Sequence, residues 1–281
     1  MELKEIDIKL KSLNVKGIHF DDKGYPTLAI HGWLDNANSF APLIPKLENL
    51  NITAIDLPGH GKSEHHSKFN YFHYIDYILD ILEVTQTLGF DKFNLIGHSL
   101  GAGLCTIFAG TFPEKVNKLC LLDGIGPVPY NAENGPANLR KATEQALATV
   151  QRVPVYKSIE EAIIARANSK LSPISLEAAK LLVDRGLIKN KEDYVWSNDP
   201  RLIHSSAVQI TEEQLEYFIK NITADTLLIL PYDGYRYGDD IVDSRVKLVK
   251  NITVKSIPGE HHVHMEQTDE VAKHLNLFFG N

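Results

Sequence analysis

The sequence has few cysteines and no cluster of positive charge. Its 281 residues include two cysteines, Cys105 and Cys120, and both lie in apolar stretches. Such cysteines are typical of small buried side chains and not of a disulfide framework. The 29 Lys and Arg residues are scattered singly, and with 36 Asp and Glu residues the formal charge is −7. This distribution disfavours a protein that binds the phosphate backbone of a nucleic acid.

The amino terminus lacks the apolar segment of a signal peptide. Residues 1–12 alternate charged side chains with Leu and Ile, and we therefore expect a soluble, cytoplasmic protein. Residues 93–112 carry no Asp, Glu, Lys or Arg, and this stretch is long enough to resemble a membrane span. The sequence GHSLGAG at its centre predicts a strand, a tight turn and a helix instead, so we expect no membrane span.

Short β-rich runs alternate with helical stretches over most of the chain. With 43% hydrophobic residues, the chain can bury the core of one large α/β domain or two small ones. We predict strands at residues 6–10, 27–30, 51–56, 93–97, 118–123, 226–230 and 251–257. We predict helices at residues 39–47, 71–88 and 102–112. This alternation indicates parallel βαβ units with helices on both faces of one sheet.

The alternation stops in the middle of the chain. From about Gly126 to Ile222 we find no convincing strand. We predict helices there at residues 137–150, 159–168, 175–185 and 212–219. A helical insertion between two strands of one sheet is best interpreted as a cap. We therefore predict a core of residues 1–124 and 223–281 and a helical cap of residues 125–222.

Ser99 lies between two closely spaced glycines. The sequence LIGHSLGAG puts Gly97 two residues before it and Gly101 two residues after it, between a predicted strand and a predicted helix. Glycines at both positions indicate a turn in which neighbouring backbones nearly touch. In this context Gly-x-Ser-x-Gly resembles the nucleophile elbow of the α/β-hydrolases. The resemblance implies a mostly parallel sheet flanked by helices, with an inserted helical cap and Ser99 as nucleophile; the alternative is a glycine-rich packing turn.

A serine nucleophile needs an imidazole base, and the carboxyl-terminal part of the chain offers three candidates: His261, His262 and His264. The stretch PGEHHVHMEQTDEVAKHL resembles the hydrolase ending G-H-F-x-H-x-E-x-P-E-E-V-A. This resemblance assigns the base to His261 and leaves His264 as a packing or supporting residue. A metal site at HHVH would need a further carboxylate or cysteine ligand, and the sequence shows no complete set. We therefore predict neither a metal nor a cofactor.

The oxyanion formed on a substrate also needs hydrogen-bond donors. In α/β-hydrolases one donor is the N–H of the residue after the nucleophile, here Leu100, at the start of a helix. The other comes from the loop after the third strand, which reads HGWLDNANSF, and we predict the N–H of Trp33. We expect His31 and Asp35 to fix this loop by hydrogen bonds and not to touch substrate.

The acid that supports the base has two candidate positions. Many hydrolases carry it after a strand that corresponds to TLLIL, but here Gly234 takes that position and Asp233 lies one residue earlier. The second position is the end of the strand after the elbow helix, where LLDGIGP contains Asp123. This arrangement resembles one group of haloalkane dehalogenases. We favour Asp123, keep Asp233 as the alternative, and expect the acid to hold the tautomer of His261.

Six motifs resemble, in order and spacing, the serine hydrolase-like group of α/β-hydrolases that includes the kraken proteins: HGWLDNANSF, DLPGHGKS, IGHSLGAG, LLDG, LLILPYDGY and PGEHHVHME. The resemblance implies hydrolysis of a small-molecule ester, or a related thioester or lactone, without a cofactor. We expect a small or medium acyl substrate; the oligomeric state stays open. One alternative is a non-catalytic receptor for a small ligand. A nucleotide-binding loop at GHGKS is disfavoured because Asp56 stands where that loop requires glycine.

Overall fold

The fold is built on one mostly parallel sheet. The computed structural model describes residues 3–21, 23–67, 71–148, 153–235 and 238–280. In chain order its strands are β1 (Lys4–Lys9), β2 (Asn14–Asp21), β3 (Tyr25–Ile30), β4 (Leu50–Ile55), β5 (Phe93–His98), β6 (Val116–Leu122), β7 (Val155–Tyr156), β8 (Leu187–Asn190), β9 (Asp193–Trp196), β10 (Asp225–Asp233) and β11 (Ile252–Glu260). Eight of these described strands lie side by side in the order β1-β2-β4-β3-β5-β6-β10-β11. The β1-β2 and β2-β4 pairs are antiparallel and the other pairs are parallel.

Helices follow most of the parallel strands. In chain order they are α1 (Tyr77–Thr87), α2 (Leu100–Thr111), α3 (Gly135–Leu147), α4 (Ile159–Ala167), α5 (Leu176–Gly186), α6 (Glu212–Lys220), α7 (Asp239–Val246), α8 (Val263–Glu266) and α9 (Thr268–Gly280). The apolar stretch 93–112 forms β5, a turn and α2, as predicted. Within the described ranges, no helix combines the length and the apolar character that crossing a membrane requires.

The sheet separates two hydrophobic cores. Successive strand residues point to opposite faces, so Leu121 of β6 packs into one core and Leu122 into the other. Helices α1, α2 and α6 cover the first core, and α9 and the segment after β3 cover the second. Cys105 and Cys120 lie in opposite cores, and both are buried and free. The predicted sheet with helices on both faces is confirmed.

Residues 125–222, called the cap segment below, lie between β6 and β10 in the chain. The helices predicted there form as α3 to α6, while residues 149–150 of the first prediction lie outside the described residues. The prediction of no strand is wrong, because β7, β9 and β8 form a three-stranded antiparallel sheet. With two to four residues each, these strands are too short to show an alternating pattern in the sequence.

The core also differs from the sequence prediction in one helix and one strand. The helix expected at residues 39–47 is replaced by two short 3₁₀ helices, Ala37–Phe40 and Ile44–Lys46. Pro42 and Pro45 lack the N–H that a continuous α-helix requires, so the segment turns in short pieces. Strand β2 is not among the predicted strands, and it pairs with both β1 and β4.

Candidate active site

Ser99 lies at the turn between β5 and α2. Its φ of 53° and ψ of −114° are a strained combination for a residue with a side chain. The flanking glycines permit the turn: a Cβ on Gly97 would lie 2.4 Å from the oxygen of Gly101, and one on Gly101 would lie 2.1 Å from the oxygen of Ile30. The Gly-x-Ser-x-Gly pattern is therefore a steric requirement for packing α2 against the sheet.

Three side chains form a continuous row of hydrogen bonds. His261 follows β11, and its Nε2 lies 2.9 Å from Ser99 Oγ. Its Nδ1 lies 2.5 Å from Oδ2 of Asp123, which follows β6 and is 3% exposed. The N–H of Tyr235 donates a second hydrogen bond to Asp123, at 2.8 Å. A carboxylate at Nδ1 makes that nitrogen the donor and leaves Nε2 able to accept the serine proton.

Asp233, the alternative acid, ends β10 and is exposed. Strands β6 and β10 are neighbours, so both candidate acids lie at the same edge of the sheet. A Cβ on Gly234 would lie 2.5 Å from Asp123 Oδ1, so the turn after β10 closes directly over the Asp123 carboxylate. Among the described hydrogen bonds, His261 pairs with Asp123 and not with Asp233.

The two predicted oxyanion donors both line the cavity that contains Ser99 and His261. Leu100 begins α2, so its N–H has no acceptor within the helix, and the helix dipole favours negative charge there. Among the described residues, no acceptor receives a hydrogen bond from the N–H of Trp33 or of Leu100. Two such N–H groups beside a serine hydroxyl are suited to a developing oxyanion.

His31 fixes the loop that contains Trp33, as expected from the sequence. Its Nδ1 donates to the carbonyl oxygen of Gly32 at 2.7 Å, and its Nε2 accepts from the N–H of Leu57 at 3.0 Å. Burial lowers the pKa of His31, so the ring is neutral, with one donor and one acceptor.

Asp35 also holds this loop by hydrogen bonds, and its partners lie in other segments of the chain. The residue lines the cavity. Oδ2 lies 2.8 Å from His262 Nε2, and Oδ1 accepts from Nη2 of Arg166 at 3.1 Å. Ser172 Oγ lies 2.6 Å from His262 Nδ1. Burial by itself would raise the pKa of Asp35, but His262 and Arg166 outweigh it and hold the pKa well below the ordinary value.

Two further histidines are buried behind His261. His98 Nε2 donates to the carbonyl oxygen of His261 at 2.9 Å and so holds the backbone of that residue. The ring centroid of His264 lies 4.1 Å from that of His98. Burial lowers the pKa of both rings well below the ordinary value, and both are neutral. Sequence reasoning assigned no role to His98, Arg166 or Ser172, because single residues of these types carry no signal outside a motif.

Asp35, His98 and His262 bring three possible metal ligands within 4.8 Å of one another, a set that the sequence did not reveal. Nη2 of Arg166 lies 3.1 Å from the Asp35 carboxylate and 3.2 Å from His262 Nε2. The guanidinium is always protonated, so its charge opposes a metal cation at this point. This donor set does not fit a metal centre.

A cavity of about 730 Å³ opens beside Ser99 and His261. Small-molecule sites span roughly 300–1,000 Å³, so this cavity is a large one. Apolar and aromatic residues from the core and the cap segment dominate its wall, among them Trp33, Tyr74, Pro127, Val128, Tyr156, Leu171, Trp196, Ile210 and Tyr235. The Asp35 and Arg166 side chains of this wall neutralise each other. The cavity is therefore suited to an uncharged, largely apolar ligand.

Known proteins are similar to this chain over nearly its whole length. A family model described as the alpha/beta hydrolase fold matches residues 25–230. The probable serine hydrolase of Drosophila melanogaster is 33% identical over 90% of this chain and 80% of its own length. A serine hydrolase-like protein of Dictyostelium discoideum is 30% identical over 97% of this chain and 78% of its own length. A crystal structure of a hypothetical protein from Pseudomonas aeruginosa is 34% identical, with a TM-score of 0.93 and full coverage of both chains.

Proposed function

Since this chain belongs to the α/β-hydrolase fold family and to its serine hydrolase-like group, we propose that it hydrolyses uncharged carboxylic esters through an acyl-enzyme on Ser99. One observation carries the proposal: the row Ser99–His261–Asp123, with distances of 2.9 and 2.5 Å, opens into a cavity of about 730 Å³. The cap segment, residues 125–222, acts as a lid domain on a core of residues 1–124 and 223–281.

In the first half of the reaction, His261 Nε2 takes the hydroxyl proton as Ser99 Oγ attacks the carbonyl carbon. Asp123 holds the imidazole in the required tautomer and stabilises the imidazolium. The negative charge that develops on the carbonyl oxygen is accepted by the N–H groups of Trp33 and Leu100. The imidazolium then gives its proton to the departing alcohol, and an acyl ester on the serine remains.

In the second half, water replaces the alcohol. His261 removes a proton from the water as its oxygen attacks the acyl carbon, and the same two N–H groups accept the second oxyanion. Collapse of this intermediate returns the proton to Ser99 and releases the carboxylic acid. Thioesters and lactones present the same carbonyl to the same groups, so the proposal extends to them.

The experiment that tests this proposal compares the wild type with Ser99→Ala on p-nitrophenyl esters from acetate to dodecanoate. We expect hydrolysis by the wild type and a loss on the order of 10³-fold or more in the variant. Equal slow rates in the two proteins would refute the catalytic role of Ser99 and favour the non-catalytic receptor.

A matched pair of variants tests the acid. We expect Asp123→Asn to lower kcat on the order of 10³- to 10⁴-fold, because the amide supports the wrong tautomer of His261. Asp233→Asn makes the same chemical change one strand away and should leave kcat within about twofold of the wild type. The reverse ranking would assign the acid to Asp233.

A further inference from the structure

The loop of residues 33–38, called the oxyanion loop below, is tied to the cap segment along nearly its whole length. Five of its six residues make a hydrogen bond to a cap-segment residue, and each uses a different partner. The pairs are Trp33 Nε1 to the Leu202 oxygen (3.0 Å), Asn198 Nδ2 to the Leu34 oxygen (3.1 Å), Arg166 Nη2 to Asp35 Oδ1 (3.1 Å), Asn36 Nδ2 to the Leu182 oxygen (2.9 Å) and Asn38 Nδ2 to the Leu181 oxygen (3.0 Å).

The sixth residue, Ala37, is held by the core, but its partner is itself bound by the cap segment. The N–H of Ala37 donates to Oδ1 of Asp56 at 2.7 Å. Nε of Arg185, in α5, donates to both carboxylate oxygens of Asp56, at 2.8 and 2.9 Å. Both side chains of this ion pair are buried. The cap segment therefore also acts on this core contact of the loop.

The oxyanion loop contains one strained backbone conformation. Leu34 has a φ of 62°, in the left-handed region that residues with a branched side chain avoid. Such conformations persist where surrounding contacts over-determine them. The carbonyl oxygen of Leu34 is the acceptor of the bond from Asn198, and Leu34 directly follows Trp33. The N–H of Asp35 donates to the carbonyl oxygen of Gly32 at 3.2 Å and closes the turn around Leu34, and the bond from Asn198 adds a contact from the cap segment to the strained residue.

We propose that the cap segment positions the oxyanion loop, so that Asn38 and Asn198 are positioning residues for the Trp33 N–H. This inference rests on the proposed function, because it gives that N–H the role of oxyanion donor. A substrate that packs against the cap segment also steadies the donor, so distant parts of the substrate contribute to kcat and not only to KM. The competing explanation is that the core alone shapes the loop and the five bonds only attach the cap segment.

Two isosteric variants separate these explanations. Asn38→Asp and Asn198→Asp keep the side-chain size and the acceptor oxygen but remove the amide donor. In Asn198 that retained oxygen, Oδ1, lies 3.4 Å from the N–H of Gly61. The matched control is Asn221→Asp. Nδ2 of Asn221 donates to the carbonyl oxygen of Gly110 at 2.6 Å, which joins the end of the cap segment to α2 away from the oxyanion loop.

The kinetic experiment measures kcat and KM separately, with the p-nitrophenyl ester that the wild type hydrolyses fastest. A donor displaced by about 1 Å costs up to about 100-fold in rate, so we expect both loop variants to lower kcat between about 10- and 100-fold with KM within about twofold. A trifluoromethyl ketone, which forms an oxyanion on Ser99, should lose affinity by a similar factor. Asn221→Asp should change neither kcat nor the affinity for the trifluoromethyl ketone. A raised KM with unchanged kcat, or an equal fall of kcat in the control, would overturn the proposal.

Hydrogen–deuterium exchange gives a readout that does not need catalysis. We expect backbone amides of residues 31–40 to exchange faster in Asn38→Asp and Asn198→Asp than in the wild type or in Asn221→Asp. If the wild type hydrolyses no ester, the proposed function fails, while faster exchange still supports the coupling between cap segment and loop. Unchanged exchange in both loop variants would overturn that coupling whatever the activity.

Discussion

Three buried histidines should make the stability of this protein fall steeply below neutral pH. Burial lowers the pKa of His60 to about 3 and those of His98 and His264 well below the ordinary value. Each ring has at least one buried nitrogen without a partner among the described groups, and both nitrogens of His264 lack one. The folded protein therefore keeps these rings neutral, whereas the unfolded chain protonates them below about pH 6.5.

The sign and the size of the effect follow from proton linkage. Below pH 6.5 the unfolded state binds more protons, so the free energy of unfolding decreases as the pH falls. At pH 5.5 each ring contributes a loss of about 1.4 kcal/mol, and the three together contribute about 4 kcal/mol. Such a loss is a large part of the roughly 5–15 kcal/mol that stabilises a typical domain.

The perturbation that isolates one ring is His264→Leu, which replaces two unpartnered nitrogens beside Phe40 with apolar atoms. Urea unfolding at pH 7.5, 6.5 and 5.5 measures the free energy of unfolding at each pH. Between pH 7.5 and 5.5 the variant should lose about 1.4 kcal/mol less stability than the wild type. An identical pH dependence in the two proteins would refute the assignment of a neutral, buried His264.

His65 provides a control, because its pKa is shifted in the opposite direction. Its hydrogen bond to Asp199 outweighs partial burial and raises its pKa. His65 therefore contributes stability that is fully present below pH 6.5 and is lost as the pH rises through the raised value. The variant His65→Asn should alter the pH dependence mainly above pH 6.5, and the change should fade between pH 6.5 and 5.5 as the unfolded imidazole becomes protonated. A change larger below pH 6.5 than above it would contradict the linkage argument.

Three further substitutions test the packing around the site. Gly101→Ala would put a Cβ 2.1 Å from a carbonyl oxygen of β3, so thermal unfolding should show a loss of at least about 2 kcal/mol; a smaller loss would contradict the steric argument. Arg185→Met leaves the buried Asp56 carboxylate without its cation and should cost about 3–5 kcal/mol in urea unfolding, part of which Asp56→Asn should restore. Gly234→Ala would put a Cβ 2.5 Å from Asp123 and should lower kcat about tenfold or more in the ester assay, whereas unchanged kcat would show that the carboxylate does not need this position.

Short motifs in the sequence single out Ser99, Leu100 and Trp33, and the structure brings the three to one cavity. Ser99 is found from its flanking glycines, because the close approach of α2 to β5 excludes a side chain at Gly97 and its close approach to β3 excludes one at Gly101. Leu100 and Trp33 follow from their places after the nucleophile and after β3. These predictions depend on the order of strands and helices, and hydrophobic periodicity indicates that order reliably.

The cluster of Asp35, Arg166, Ser172 and His262 could not be predicted in the same way. Its members come from three segments that are far apart in the chain, and they meet only because the cap segment folds back over the sheet. The sequence indicates that Asp35 fixes its loop by hydrogen bonds but does not indicate the partners. Tertiary packing decides those partners, and a local pattern does not encode it.

The sequence leaves the position of the proposed acid ambiguous between Asp123 and Asp233, and the sheet explains why. Strands β6 and β10 are parallel neighbours, so a carboxylate after either strand lies at the same edge, within reach of one imidazole. The two positions also compete for the same space. With Asp123 after β6, a Cβ at Gly234 would lie 2.5 Å from its Oδ1, so no carboxylate can stand at the position after β10. The glycine there thus leaves room for Asp123, and the N–H of Tyr235 that follows it donates to the Asp123 carboxylate. Gly234 and Asp123 therefore depend on each other. To move the carboxylate from the end of β6 to the end of β10, both Asp123→Gly and Gly234→Asp would be required.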